Sequence, residues 1–382
     1  MTIAHFSDTH LGFRQFNKTN PDGFNQREVD VMRCFRECLD DIADHDPDLV
    51  IHAGDFFDRV RPSNFSIVLA YKALTSFQTK RGNRPFVLIA GNHETPRTLD
   101  TGNILTLFES IPGMIVIWSD DLTHARRELS ELDLEVLGVP TSLLESTKHH
   151  VAYEPVTKRK HRVLVLHGLE RRVIPDAGNF SLEETHPERW SYVALGDYHV
   201  HRQFTANCCY SGSTDYNSSH YWEEVGHPKG WVWVDLNAGT MEFKPTHPRP
   251  VIDLPVIQAA ELTGPQITEA VLAQAIWDAN ELPIVRQRVA GVRPESRGQI
   301  DFLALREPQD RCLHFDLKLE IARSKALDSI EDPAQTGSSL EAEWTRHMME
   351  ATPPPGIDRE RATLIGERLL KEVQDEADLT PA

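Results

Sequence analysis

The sequence has few features of a membrane protein or of a disulfide-bonded secreted protein. Among its 382 residues no apolar run approaches the roughly 18 residues that a transmembrane helix requires, so no membrane span is expected. The first strand-like segment begins at Thr2, which leaves no room for a signal peptide. There are only five cysteines, none in the CxxC spacing of a structural metal site. We therefore expect reduced thiols and a cytoplasmic protein.

The chain also lacks an excess of positive charge. It has 40 Lys and Arg against 58 Asp and Glu, a formal net charge of −18, which argues against a large basic surface for nucleic acid. Part of this charge is local, because the segment from Ala326 to the end has 13 acidic and 5 basic residues, a net of −8. Bound divalent cations would add positive charge where a substrate binds. The acidity therefore weakens a nucleic-acid interpretation without excluding it.

What the sequence does contain is a series of metal-binding residue types directly after strand-like segments. The strand-like segments are Thr2–Phe6, Leu49–Ala53, Phe86–Ala90, Val163–Leu166 and Tyr192–Leu195. The residues that follow them include Asp8, His10, Asp55, Asn92, His93, His167, Asp197 and His199. Open α/β sheets bind ligands beyond the carboxyl ends of their strands, so these side chains are expected to converge. Asp, Asn and His without Cys are typical of a hydrolytic site with divalent metal ions.

Each cluster alone has an ordinary explanation, such as a turn aspartate beside a surface histidine. Asp55 is the most informative, because it ends a strand that reads as buried, and an unpaired buried carboxylate is costly unless it meets a cation. One carboxylate can bridge two metal ions, and we predict that role for Asp55. Asn92 offers a neutral oxygen ligand, and His93 beside it can reach a phosphate or a leaving oxygen. Taken together, the clusters favour a metal site.

The order of these clusters resembles the signature of calcineurin-like metallophosphoesterases. The resemblance narrows to SbcD-type DNA repair exonucleases, the bacterial relatives of the meiotic recombination nuclease. It lies in Phe6-Ser-Asp-Thr-His-Leu-Gly12, Ala53-Gly-Asp-Phe-Phe-Asp58 with Arg61-Pro62-Ser63, and Tyr210-Ser-Gly-Ser-Thr214 followed by Lys229-Gly230. It covers residues 1–245 well and the remainder only in layout.

The resemblance implies an α/β fold: a metallophosphoesterase two-sheet β-sandwich flanked by helices. It implies two divalent ions, most plausibly manganese, with magnesium, iron or zinc as alternatives. One ion would bind Asp8, His10, Asp55 and His199, and the other Asp55, Asn92, His167 and Asp197. His93 would be the catalytic residue that assists the leaving oxygen. The expected activity is hydrolysis of DNA phosphodiesters in the processing of double-strand breaks, with an SbcC-type SMC-like ATPase as partner and a homodimer built on helices.

Two positions depart from the family pattern. The fifth motif usually reads Gly-His-x-His, whereas this chain has Gly196-Asp-Tyr-His199. Asp197 can still bind a metal ion and would favour harder ions such as manganese, but His201 is an alternative ligand if the motif is shifted by two residues. The third motif commonly ends in Asp, and Glu94 stands there instead. The side chain of Glu94 is longer than that of Asp, which disfavours a carboxylate that orients His93.

Composition and periodicity divide the chain into three predicted parts. These are residues 1–248, the nuclease domain; 249–325, a smaller α+β capping domain that selects DNA shape; and 326–382, an acidic helical tail that docks a partner. The predicted elements are helices over Arg27–Ala43, Phe65–Phe77, Pro265–Ala279, Leu340–Met349 and Asp358–Glu376, a hairpin over Lys229–Pro245, and strands near Val251–Val256, Pro283–Ala290, Gln299–Leu305 and Cys312–Leu319. The tail carries two apolar stripes, Leu340-Trp344-Met348 and Ala362-Ile365-Leu369-Val373, which either dock an ATPase or pack on the chain's own surface.

Four further residues, Arg14, Gln15, Arg61 and Ser213, lie in the family-like motifs and are predicted to contact substrate. Loop packing is the ordinary explanation for Arg14 and Gln15. Two other functions remain open at this point. The first is a phosphodiesterase of the same fold that acts on cyclic nucleotides or small phosphoesters, and the second is a non-catalytic scaffold.

Overall fold

The computed structural model of the protein describes residues 1–96, 102–147, 153–175, 177–277, 281–322, 340–350 and 358–378. Its strands are β1 (Thr2–Phe6), β2 (Leu49–His52), β3 (Phe86–Ile89), β4 (Met114–Ile117), β5 (Arg126–Leu129), β6 (Leu134–Val139), β7 (His161–His167), β8 (Tyr192–Gly196), β9 (Arg202–Thr205), β10 (Cys208–Tyr210), β11 (Gly230–Asp235), β12 (Thr240–Pro245), β13 (Val251–Asp253), β14 (Ile257–Gln258), β15 (Ile284–Val292) and β16 (His314–Ile321). Its α-helices are α1 (Gln26–His45), α2 (Asn64–Lys80), α3 (Leu122–Ala125), α4 (Thr141–Ser146), α5 (Gly264–Gln274), α6 (Pro294–Arg297), α7 (Arg306–Asp310), α8 (Leu340–Glu350) and α9 (Arg359–Asp378). Short 3₁₀ segments span Ile104–Ser110, Ser130–Leu132, Leu182–Thr185, Pro187–Arg189 and Tyr221–Glu223.

Two six-stranded sheets pack face to face. The first has the order β12-β11-β1-β2-β3-β4, and the second has the order β5-β6-β7-β8-β10-β9. The neighbours β1 to β4 are parallel in the first sheet, as are β6, β7, β8 and β10 in the second. Because parallel strands point the same way, their carboxyl ends meet at one edge of each sheet. The predicted two-sheet sandwich flanked by helices is confirmed.

The core between the sheets explains why these strands read as continuous apolar runs. Ile3, Ile51 and Val87 of the first sheet join Val136 and Leu164 of the second in one buried cluster. The intervening residues face outward and pack under helices in a second cluster. Strands covered on both faces need apolar residues at nearly every position, so β2 and β3 are buried throughout.

Helices α1 and α2 cover the outer face of the first sheet. Both begin at a side-chain cap: Asn25 accepts a hydrogen bond from the Arg27 backbone, and Ser63 accepts one from the Ser66 backbone, at 3.1 Å in each case. The predicted apolar positions of α1, from Val31 to Ile42, are fully or almost fully buried. Both predicted helices are confirmed and extend by a few residues at their ends.

A third sheet of β13, β15, β14 and β16 lies beyond residue 250, with α5 packed against it. Two predictions in this part were wrong. The single strand predicted over Val251–Val256 is split into β13 and β14 around Pro255, which has no N–H to donate. The strand predicted over Gln299–Leu305 is a turn between α6 and α7. Its apolar residues mislead because Phe302 and Leu303 are exposed, by 51% and 69%.

The acidic tail contains two helices, α8 and α9, that pack on each other. The Trp344 indole donates a hydrogen bond to the Thr363 carbonyl at 3.0 Å. A Cβ at Gly366 would lie 2.2 Å from the Trp344 ring, so the glycine permits the close approach. Ile365 and Leu369 remain 52% and 54% exposed. The side chains of Leu340 and Val373 and the linker Pro353–Gly356 lie outside the described residues.

None of the helices in the described ranges is long and apolar enough to cross a membrane. The five cysteines are buried and free of disulfide bonds. The division into parts at residues 248 and 325 stays a prediction, and the second of these boundaries falls on 323–339, outside the described residues.

Buried charges in the first turns of α1 tie the third sheet to the first. Asp30, 2% exposed, accepts two hydrogen bonds from Arg249, at 2.6 and 2.7 Å, and one from Arg27 at 3.0 Å. Arg27 also bonds Asp215 at 3.1 Å and the Tyr216 carbonyl at 2.7 Å. These arginines lower the pKa of Asp30 although its burial would raise it. The carboxylate is therefore ionised and shared between the two parts of the chain.

We expect Arg249→Met to destabilise the protein by on the order of 3 kcal/mol, because it leaves a buried carboxylate with part of its charge uncompensated. The measurement is urea unfolding followed by tryptophan fluorescence. Lys80→Met is the matched control, since Lys80 pairs with Asp44 on the surface, where both side chains are at least half exposed, and an exposed pair contributes less than about 1 kcal/mol. Equal effects of the two substitutions would contradict the interpretation.

Candidate functional site

The strand ends bring the predicted ligands together at one edge of the two sheets. Asp8 follows β1, Asp55 follows β2, Asn92 follows β3, and His167 ends β7. Three overlapping groups have side-chain ligand atoms within 4.8 Å of one another: Asp8 with His10 and His199, His10 with Asp55 and His93, and Asp8 with Asp55 and His167. Residues far apart in the sequence therefore form one compact cluster of carboxylates and imidazoles.

Asp55 lies at the centre of this cluster and is 1% exposed. One carboxylate oxygen, Oδ2, is 3.5 Å from His10 Nε2, and the other, Oδ1, is 3.4 Å from His167 Nε2. Oδ1 also accepts a hydrogen bond from the His93 backbone at 3.0 Å. The two oxygens therefore face two different imidazoles, which is the arrangement that a bridging carboxylate requires.

The remaining ligands fall on either side of Asp55. On one side, His199 Nε2 is 3.2 Å from His10 Nε2. On the other side, Asn92 Oδ1 is 3.1 Å and Asp197 Oδ1 is 3.8 Å from His167 Nε2. Lone pairs that point at one another across such distances repel unless a proton or a cation lies between them. His10 and His199 therefore lie together on one side, and Asn92, His167 and Asp197 lie together on the other, while their assignment to two metal ions stays a prediction.

Backbone hydrogen bonds fix which nitrogen of two imidazoles faces the site. His167 Nδ1 lies 2.7 Å from the Ala53 carbonyl, and His93 Nδ1 lies 2.6 Å from the Asp58 carbonyl. Since a carbonyl only accepts, each Nδ1 carries a proton and donates it. The Nε2 atoms are then directed into the cluster, the orientation that a second contact imposes on metal-binding histidines.

The loops that carry the ligands are strained. Asp8, His10, Asp55 and Asp197 have φ values of 53°, 45°, 53° and 99°, in the region that side chains other than glycine rarely adopt. Hydrogen bonds between the first two loops hold this conformation, from Asp8 N to the Gly54 carbonyl and from His10 N to the Asp55 carbonyl, both 3.0 Å long. Strain of this kind, supported by neighbouring structure, is common at functional sites.

The glycines of the motifs permit close approach between strands. A Cβ at Gly91 would lie 2.1 Å from Asp55 Oδ1, and a Cβ at Gly54 would lie 2.2 Å from His167 Nδ1. A Cβ at Gly196 would lie 2.0 Å from the Ala53 carbonyl. The glycines that precede Asp55, Asn92 and Asp197 are therefore a steric requirement of the cluster.

Burial and mutual charge perturb the pKa values of the cluster. Burial, with help from the charge of Asp55, raises the pKa of Asp8 to about 7, and burial raises the pKa of Asp197 to about 6. Burial would also raise the pKa of Asp55, but His167 and His10 lower it below the usual range. Burial lowers the pKa of His199 to about 4. Carboxylates and imidazoles crowded into so small a volume fit divalent cations, which offset the negative charge and use the lone pairs.

Asp197 and His201 differ in where their side chains lie. Asp197 contacts the cluster through His167, and its backbone donates to the Asp8 carboxylate at 3.1 Å. His201 Nδ1 instead lies 2.8 Å from the Tyr210 carbonyl, and its ring packs on Phe243. The geometry favours Asp197 over His201 as a ligand, in the unshifted motif.

Glu94 does not orient His93. Its carboxylate is completely buried and accepts hydrogen bonds from the backbones of Gly91, at 2.9 Å, and Phe57. It therefore joins the second and third motifs, and the Asp58 carbonyl orients His93 in its place. The longer arm of Glu explains why it reaches the neighbouring loop.

The four residues predicted to contact substrate lie in different surroundings. Arg14 donates to Glu28 at 2.7 Å, with half of its side chain exposed. Gln15 is partly buried, and Arg61 is exposed beside an open cavity of about 650 Å³. Ser213 is at odds with the prediction, because it is completely buried and donates to the Asp215 carbonyl at 2.8 Å. Its hydroxyl therefore supports the structure of the site and does not face a substrate.

Sequence reasoning missed several residues that support the cluster. The Asp58 carboxylate lies 3.7 Å from His10 Nδ1. Its position at the end of the Gly-Asp-Phe-Phe-Asp motif could have indicated that it belongs near the site. The amide of Asn217 donates to the carbonyl of Asp8 at 2.8 Å. Glu224 and Lys229 lie beside His199, and no pattern in the sequence connected them to it.

An open cavity of about 420 Å³ adjoins the cluster. Asp197, His199 and Glu224 lie along it, and Ile174 and Tyr198 supply apolar surface. On the other side His93 is 36% exposed, so solvent reaches both faces of the site. A phosphate ester has room to approach the ligands here.

We expect Gly91→Ala to bind less divalent metal than the wild type does, because the added methyl must displace the Asp55 carboxylate or the end of β3. Overpacking of this kind also costs about 1–3 kcal/mol of stability. The measurement is metal analysis after equilibrium dialysis. Gly298→Ala is the control, because the space around Gly298 is open and its φ is not positive. Wild-type metal content in Gly91→Ala would refute the steric argument.

Comparison with known proteins agrees with this geometry. The family model described as calcineurin-like phosphoesterase matches residues 1–224. Among similar proteins, the DNA double-strand break repair protein Mre11 of Methanococcus maripaludis is 30% identical over 62% of this chain and 63% of its own length. The proteins of that name from Methanocaldococcus jannaschii and Thermoplasma acidophilum are 27% and 26% identical, over 64% and 75% of this chain and 64% and 76% of their own lengths. The chain thus matches less than two thirds of the first two relatives. More than half of it matches the family model, and it belongs to the calcineurin-like phosphoesterase family.

Proposed function

We propose that this protein is a metal-dependent DNA nuclease that hydrolyses phosphodiester bonds during the processing of DNA ends. The observation that carries the proposal is Asp55, whose two oxygens face His10 and His167 while His93 lies beside them on an open face. The relatives named as DNA double-strand break repair proteins support DNA as the substrate. A cytoplasmic location accompanies this proposal.

The donor set fits two divalent ions. Asp8, His10, Asp55 and His199 would bind one, and Asp55, Asn92, His167 and Asp197 would bind the other. When bound, such ions polarise the phosphate and stabilise the charge that develops on the attacking and leaving oxygens. Manganese is our choice, because carboxylate and amide oxygens outnumber imidazoles in the second set and favour a harder ion; magnesium, iron and zinc are the alternatives.

The protein's own contribution is to position groups around the phosphate. His93 donates its Nδ1 proton to the Asp58 carbonyl, which fixes the ring and leaves Nε2, 3.9 Å from Asp55 Oδ2, directed at the cluster. When protonated, Nε2 can donate to a phosphate oxygen or to the leaving oxygen. Its backbone N–H at the same time holds Asp55 Oδ1. The His93 imidazole is the proposed proton donor, and the backbone of the same residue holds the bridging carboxylate of Asp55. The positions of these two groups are therefore linked.

The test is manganese-dependent cleavage of linear duplex, hairpin and single-stranded DNA, beside bis-p-nitrophenyl phosphate and cyclic nucleotides. We expect cleavage of DNA, and we expect His93→Ala to lower its rate by about 10²–10⁴ while both ions stay bound, since His93 is not among the ligands. The surface variant Lys80→Met is the control and should cleave at the wild-type rate.

Two results would contradict the proposal. Cleavage of cyclic nucleotides with no cleavage of DNA would establish a small-molecule phosphodiesterase on this fold. The absence of bound metal together with the absence of cleavage would establish a scaffold. Near-normal turnover by His93→Ala would leave the nuclease in place but refute the role of that residue.

We further propose that the tail helices dock an SMC-like ATPase of the SbcC type and that the protein forms a homodimer through α1 and α2. Trp344 and Met348 belong to one predicted apolar stripe. Trp344 contacts α9 and Met348 is buried, so both side chains contribute to packing within the helix pair. Ile365 and Leu369 of the other stripe remain exposed and are available to a partner. On α2, Val68 is 49% exposed and is available to a second copy.

We expect the double substitution of Ile365→Glu and Leu369→Glu to abolish co-purification with the co-expressed ATPase, because it places charges on the exposed apolar stripe. Manganese nuclease activity on simple DNA should stay unchanged. Val156→Glu is the control, since Val156 is 68% exposed in the first 248 residues. Unaltered co-purification of the double variant would show that the partner binds elsewhere.

A further inference from the structure

A buried ion pair lies behind His199, on the side away from the other ligands. Lys229 is 1% exposed, and its Nζ donates to Glu224 Oε2, to the His199 carbonyl at 2.8 Å and to Ser213 Oγ at 3.0 Å. Glu224 is 8% exposed, and Ser218 donates to its Oε1 at 2.6 Å. A lysine and a glutamate so deeply buried are costly unless their charges are paired, so their position near a functional loop calls for an explanation.

The imidazole of His199 has one nitrogen in the cluster and one outside it. Nε2 lies 3.2 Å from His10 Nε2, in the cluster. Nδ1 is buried and makes no hydrogen bond among the described residues, and Glu224 Oε1 lies 3.6 Å from it. A histidine that binds a metal through Nε2 carries its proton on Nδ1, and that proton needs an acceptor. The carboxylate of Glu224 is placed to be this acceptor.

We propose that Glu224 and Lys229 are positioning residues for the metal site: Glu224 orients the His199 ring by accepting from Nδ1, and Lys229 fixes the backbone of the same residue. This inference rests on the proposed role of His199 as a ligand. The two residues act on different parts of His199, one on its ring and one on its carbonyl. Because Lys229 also bonds Ser213, the loop that carries Asp197 and His199 is joined to the segment after β10.

The arrangement differs from the supports of His167 and His93, whereas His10 has a carboxylate, that of Asp58, 3.7 Å from its Nδ1. His167 and His93 donate to backbone carbonyls, which have no net charge. Glu224 is instead a carboxylate that is paired with the buried ammonium of Lys229. An ionised acceptor makes a stronger hydrogen bond and increases the basicity of the ligand nitrogen. His199, like His10, is therefore expected to depend on a carboxylate outside the ligand set, and only that of His199 is paired with a buried lysine.

The experiment measures Mn²⁺ binding by titration calorimetry and the EPR spectrum of the bound Mn²⁺ in the full-length protein. We expect Glu224→Gln to weaken the binding of one of two ions by about 10–100-fold, the usual effect of removing such a support. At limiting manganese, we expect the EPR spectrum of a coupled pair of ions from the wild type and the spectrum of a single ion from Glu224→Gln. His199→Ala provides the reference for loss of the ligand itself.

The matched control is Glu135→Gln. Glu135 is likewise a buried glutamate, 1% exposed, and it pairs with a basic residue, Arg126, at 2.8 Å. It lies near the start of β6, at the end of the strand opposite the site. It should lose stability on heating but bind both ions with wild-type affinity. Glu224→Asp separates folding from positioning, because it keeps a charge beside Lys229 and withdraws the carboxylate from His199. We expect it to fold like the wild type and to bind one ion more weakly.

The outcomes are distinct. Wild-type affinity for both ions in Glu224→Gln, or in Glu224→Asp if the first variant does not fold, overturns the positioning role and leaves the metal site intact. Equal loss of thermal stability in Glu224→Gln and Glu135→Gln with no change in affinity assigns Glu224 to stability alone and also overturns it. Failure of the wild-type protein to bind two ions overturns the proposed metal site, and this inference with it.

Discussion

The structure of the site depends on the burial of one carboxylate between two sheets. Asp55 follows a strand that is covered on both faces, and it cannot be hydrated there. Its charge is compatible with burial because imidazoles and the backbone N–H of His93 surround it. The glycines before Asp55, Asn92 and Asp197 follow from the same constraint, because the strand ends must approach more closely than any side chain allows.

The strained loops are a second consequence of this packing. Ligand residues at positive φ would relax if the loops were independent, but hydrogen bonds join the loop after β1 to the loop after β2, and Glu94 joins the latter to the loop after β3. The geometry of the site is therefore determined by the sheets, and local flexibility contributes little to it. A rigid arrangement of this kind lowers the reorganisation that binding of ions or substrate requires.

Much of this arrangement could be predicted from the sequence, because strand ends in parallel sheets follow a general rule. The five strands and the polar residues after them were predicted together with the two-sheet fold. What could not be predicted depends on side-chain direction across long separations. The sequence left Asp197 and His201 as alternatives, and the structure separates them because Asp197 faces His167 whereas the His201 ring packs on Phe243. Glu224 went unnoticed for the same reason, since nothing local connects it to His199. Phe302 and Leu303 led to a wrong prediction of a strand, because apolar residues in an exposed turn can have the sequence pattern of a strand.

The contact between Trp344 and Gly366 has a consequence for the tail. Two short helices joined by a linker would ordinarily lose much conformational entropy when they bind another protein. Here the indole fits against a glycine and donates to the Thr363 carbonyl, so the pair is already associated. A protein that covers Ile365 and Leu369 would therefore meet a preorganised surface, and more of the free energy of burying those side chains would remain as affinity.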